Sequence, residues 1–70
     1  MKIHELIVEP NQFDLSWRGL KPYESLEKDN DYHLHDIIIL KERDTQRQLT
    51  RRVISKTKLT PGCILGLEKV

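Results

Sequence analysis

Apolar positions fall in short groups along this chain, separated by polar turns that carry most of the prolines and glycines. Residues 2–8, KIHELIV, end in an unbroken apolar run and predict a strand. In the segment PNQFDLSWRG that follows, Pro10 suits a first helical turn and Phe13 and Trp17 share one face. Gly19 supplies the left-handed residue that ends such a helix. A helix of about two turns does not persist alone, so it needs a sheet to pack against.

Residues 23–27 predict a short strand and KDND, 28–31, a turn. DIIILKE, 36–42, is the strongest strand signal, because consecutive isoleucines favour a strand buried on much of both faces. DTQRQ reads as a hairpin connection and residues 49–57, LTRRVISKT, as the returning strand. Strict alternation places Leu49, Arg51, Val53 and Ser55 on one face, and Thr50, Arg52, Ile54 and Lys56 on the other. Thr60-Pro61-Gly62 is a turn, and CILGLEKV closes the chain as a last strand. The expected fold is mainly β (α+β): a small, partly closed antiparallel barrel with one short helix after the first strand. Residues 1–70 form one domain, since a chain this short buries only about 60% of its unfolded surface and supports one thin core.

Charge changes the picture locally. Lys and Arg number 12 against 11 for Asp and Glu, which excludes a polybasic protein. Yet Arg43, Arg47, Arg51, Arg52, Lys56 and Lys58 follow one another with only Asp44 against them. Residues 22–42 carry Glu24, Glu27, Asp29, Asp31, Asp36 and Glu42 against Lys28 and Lys41, so a dipolar surface is expected. Cys63 is the single cysteine and reads as a small buried hydrophobe in the run CILGL. No apolar stretch approaches the roughly 20 residues of a membrane span, and the N-terminus lacks a signal-like core. A cytoplasmic protein without membrane attachment is the expectation.

Several separated positions agree in order and register with one family pattern. They are the opening Lys2-Ile3-His4-Glu5-Leu6, then Pro10 and Phe13, then Gly19, Lys21 and Glu24. Asp29 and Asp31 in the turn and Asp36, Ile38 and Leu40 in the strand complete the match. Over roughly residues 1–56 the chain resembles small bacterial and bacteriophage domains of unknown function in the ASCH/PUA-like superfamily. After Lys56 the family pattern has a longer loop before its final strand, and this chain looks shorter there. Leu26 and Asn30 stand where the family pattern has basic residues, and His35 where it has glycine. Without those arginines the guanidinium forks suited to phosphate and base edges are missing from the motif.

The resemblance implies a PUA-like barrel that binds nucleic acid, and the basic run independently permits it. The leading reading is a non-enzymatic domain for RNA or other single-stranded nucleic acid. Arg43, Arg47, Arg51, Arg52, Lys56 and Lys58 would meet phosphates with Lys21 beside them, and Tyr23, Tyr32 or Trp17 would stack on bases. A solvated hairpin face accounts for the same charges. One alternative is a phage-type module that docks on a host or viral protein. Another is a degenerate nucleoside amidohydrolase, because some ASCH proteins act on acetylated cytidine through a Lys followed by a Thr three residues later. Here Glu24 takes that place after Lys21, and Ser25 is one position off. A lysine paired to a carboxylate stays charged and makes a poor base, so no catalytic residue is assigned. His33 and His35 would share a face if extended, near Asp31 or Glu27, but spacing fixes no third ligand. They read as exposed turn residues that gain charge below about pH 6.5. Neither metal nor cofactor is assigned.

Overall fold

The computed structural model describes all 70 residues. Its elements are β1 (Ile3–Val8), α1 (Pro10–Trp17), β2 (Tyr23–Leu26), β3 (Ile37–Glu42), β4 (Gln48–Leu59) and β5 (Gly62–Lys69). They form one sheet in the order β1-β3-β4-β5-β2. β1 and β2 are its two edges, and they do not pair with each other, so the sheet is a curled, open half-barrel. The mainly β fold with one short helix after the first strand is as expected. One pairing departs from the antiparallel expectation: β1 runs parallel to β3, with Ile3 opposite Ile37 and Val8 opposite Glu42. Parallel neighbours need a long crossover, and the chain from Glu9 to Asp36, carrying α1 and β2, supplies it.

The core follows from β3. Ile38 and Leu40 are fully buried and meet Val53, Cys63, Leu65, Leu67 and Tyr32, with Leu6, Val8, Leu26 and Leu49 packed around them. Ile37 and Ile39 point to the convex face and are only half-buried, beside the exposed Ile3 and Ile7 of β1. The triple isoleucine therefore buries one face fully and the other in part, since no second layer covers the convex side.

A β-bulge between Val53 and Ser55 breaks the alternation expected of β4. After it, Lys56 lies opposite Leu65 and Lys58 opposite Cys63, both core positions. Lys56 thus joins Arg51 and Val53 on the concave face rather than Arg52 on the convex one. The extra residue costs one unit of register and adds curl.

α1 begins with Pro10 in its first turn and is followed by Gly19 at φ +75°, the left-handed stop expected there. Phe13 is fully buried and stacks against the half-exposed Trp17 at 6.0 Å between ring centroids. No helix is long and apolar enough to cross a membrane.

Candidate functional site

The two unpaired edges of the half-barrel leave a cleft of about 550 Å³ between them. Leu6 and Val8 of β1 and Leu26 of β2 form an apolar floor that continues into the core. Gln12, Lys21 and Glu24 form a polar wall. The Lys21 ammonium donates to Gln12 Oε1 at 2.7 Å, stands 3.4 Å from Glu24 Oε2, and lies 5.7 Å from the centroid of the Tyr23 ring. Alternation along β2 turns Glu24 inward and leaves Tyr23 and Ser25 exposed. The Glu24 side chain is only 6% exposed, and its Oε2 has no well-aligned hydrogen bond; the Lys21 ammonium, 3.4 Å away, is its one close partner. Burial pushes the Glu24 pKa up, and the charge of Lys21, with its weak hydrogen bond, only partly opposes this. A buried acceptor that lacks a well-aligned donor, next to an apolar floor, suits a flat ligand that brings its own N–H group.

The basic hairpin is not one open cationic surface. Arg47 grips the buried Glu42 through both carboxylate oxygens at 3.1 Å, and its guanidinium lies 5.1 Å from the Phe13 ring centroid and 5.3 Å from that of Trp17. The bonds from Arg47, then from Thr45, hold the Glu42 carboxyl below its usual range, and the same pair raises the pKa of Arg47. Arg43 pairs with Glu9 at 2.7 Å and Arg52 with Glu68 at 3.2 Å. Lys56 binds Asp29 and the Tyr32 carbonyl, each at 2.8 Å. Arg51 reaches inward to the carbonyls of Thr50 and Ser16. Lys58 is exposed, with no hydrogen bond or ion pair. Among the stacking candidates Tyr23 and Trp17 are about half exposed, whereas Tyr32 is buried in the core and offers no open face.

The acidic turn before β3 is built as a staple. Asp29 accepts from the backbone N–H groups of Asp31 and Tyr32 as well as from Lys56, and the Lys56 bond leads in lowering its pKa. Asp36 is buried: Oδ1 accepts from the Lys2 backbone at 2.9 Å, and Oδ2 from His4 Nε2 at 2.9 Å and the His33 backbone at 3.1 Å. These bonds, His4 foremost, hold the Asp36 carboxyl well below the usual carboxylate range. The His4 ring also packs on Tyr32 at 4.6 Å. Asp29 and Asp36 therefore tie the turn together, whereas Lys21 and Glu24 line the cleft and Gly19 stops the helix before it. His33 and His35 are exposed, and His35 sits in a turn at φ +75°, so the extended pairing a shared metal would need does not form. Sequence reasoning missed His4, although it alternates with Leu6 and Val8 toward the concave side. It missed Gln12 and Ser16 as well, for which spacing gives no signal.

The chain belongs to a family described as a domain of unknown function (DUF3850), whose model matches residues 3–61. The matched span runs from β1 through the turn after β4 and includes the whole polar wall of the cleft. No curated protein shows a match to the chain.

Proposed function

We propose that this domain is a non-enzymatic binder of single-stranded nucleic acid, RNA foremost, and that it takes an unpaired base into the cleft between β1 and β2. The observation that carries this is Glu24 Oε2, a buried acceptor with no well-aligned hydrogen bond, beside the ammonium of Lys21. An acceptor and a donor side by side complement the edge of a base that carries an amino group next to a ring acceptor, as cytosine and adenine do. Leu6, Val8 and Leu26 give the ring an apolar floor. The ASCH/PUA-like resemblance points the same way, with the loss of an arginine at Leu26 making the floor more apolar.

The test is fluorescence anisotropy of short labelled single-stranded RNA with the parent chain and with Glu24→Gln. Micromolar binding is expected, preferring cytosine or adenine over uracil, and weakened several-fold in Glu24→Gln, whose amide oxygen accepts without the charge of the carboxylate. Equal affinity for the two proteins overturns the reading. A docking role has one observation of its own, the apolar strip of Ile3, Ile7, Ile37 and Ile39 on the convex face. It predicts protein capture that survives nuclease and is lost when Ile3 and Ile7 become charged.

A further inference from the structure

Lys21 borders a second cavity, of about 200 Å³, lined also by Ser16, Gly19, Arg51, Glu68 and Lys69. Its charge is unlike that of the rest of the hairpin. Arg43, Arg47, Arg52 and Lys56 each have a carboxylate partner, but Arg51 has none: it is held by the Thr50 and Ser16 carbonyls. Those two carbonyls fix the guanidinium without neutralising it, and a guanidinium carries more donors than they consume. Lys69 is exposed and unpaired, while Glu68, the single acid lining the cavity, is turned to Arg52.

Ser16 supplies the second observation. It is only 4% exposed, and its hydroxyl oxygen is buried with no hydrogen-bond partner. A buried hydroxyl left unpaired costs stability, and a hydroxyl is a ready donor to an oxyanion. The neighbouring Ser16 carbonyl, which would repel an anion, is already occupied by the Gly19 N–H and by Arg51.

We infer that this cavity is a phosphate site, formed by Arg51, Lys69, Lys21 and the Ser16 hydroxyl, that takes the phosphoryl group of a nucleotide. The inference deepens the nucleic-acid reading and rests on it for the identity of the ligand: Lys21 stands in the wall of both cavities, so a base in the cleft and its phosphate here share one contact. Guanidinium and ammonium groups beside a hydroxyl donor form the set that recognises phosphate oxygens.

The experiment is an NMR titration of the full chain at constant ionic strength, with three probes: inorganic phosphate, a cytidine 5′-monophosphate and cytidine itself. Phosphate alone should shift the Ser16, Gly19 and Lys69 amides and the Arg51 side-chain signal saturably. Ser16→Ala and Lys69→Ala should each weaken that binding at least about threefold without lowering the melting temperature; loss of the hydroxyl or the ammonium removes one charge-assisted contact. The nucleotide should bind more tightly than either of its parts. Shifts that chloride reproduces, or that both variants leave unchanged, overturn the phosphate site. Saturable phosphate binding with cytidine silent at Leu6, Val8 and Glu24 upholds this site and overturns the base cleft. Cytidine binding with phosphate silent does the reverse.

Discussion

Two buried carboxylates show how opposite environments act on one kind of group. Asp36 is surrounded by donors and its pKa is lowered, so its contribution to stability is present above the unfolded value of 3.8 and is lost as pH falls through the folded one. Asp29 and Glu42 carry the same sign. Glu24 has the reverse sign, because desolvation raises its pKa above 4.5 and its ionisation costs stability as pH rises through the folded value. Urea unfolding separates the two. Asp36→Ala should lower the midpoint at pH 7, and the gap to the parent should narrow in acid. Glu24→Gln should match or exceed the parent at pH 7 and lose any advantage below pH 4.5. A clear loss of stability in Glu24→Gln at pH 7 would show that Lys21 fully offsets the desolvation. The two results together separate a residue that builds the fold from one whose burial serves the cleft.

At the scale of elements, β3 and the contact of β2 with β5 decide whether the cleft exists. Ile38→Ala should cost about 2 to 5 kcal/mol, the range for truncating a fully buried isoleucine, whereas Ile37→Ala, on the half-buried convex face, should cost about 1 kcal/mol. Equal losses in denaturant melts would mean that the convex face is covered in solution. Gly62 packs so closely on β2 that a Cβ there would overlap the Leu26 carbonyl oxygen. Gly62→Ala should therefore cost about 1 to 3 kcal/mol as an overpacked contact, and, because Leu26 floors the cleft, it should also disturb NMR signals of Lys21 and Glu24. The elements themselves were legible because each rests on local signals: Pro10 and Gly19 around α1, β-branched residues in β3, Pro61 and Gly62 where β5 begins. The parallel pairing of β1 and the bulge in β4 were not, since both depend on how distant segments meet. That one bulge is what moved Lys56 to the concave face, where it pairs with Asp29.

For the whole molecule the same divide governs the site. Lys21 and Glu24 are neighbours in the chain at the start of β2, so an ion pair between them could be read from the sequence. The partners that neutralise the hairpin could not: Arg43 meets Glu9 and Lys56 meets Asp29 only because the sheet brings them together. A run of six cations in the sequence therefore becomes a surface where few are free to meet a phosphate. Lys58 and Lys69 are exposed and unpaired, and Arg51 keeps its charge. With about three phosphate contacts, the slope of log affinity against log salt for single strands should be near −2. Raising salt from about 50 to about 200 mM should then weaken RNA binding roughly tenfold to twentyfold. Lys58→Glu should reduce the slope by about 0.7 for the contact it removes, while leaving stability unchanged, because it breaks no pair. Arg47→Glu is the wrong probe: it strips the buried Glu42 of its partner and places a carboxylate against Phe13 and Trp17, so its loss of binding would follow from lost stability. Anisotropy titrations across salt, with urea melts alongside, distinguish these cases. A slope of about −4 or steeper in the parent would show that RNA opens the hairpin's ion pairs and recruits Arg43, Arg47, Arg52 and Lys56 after all.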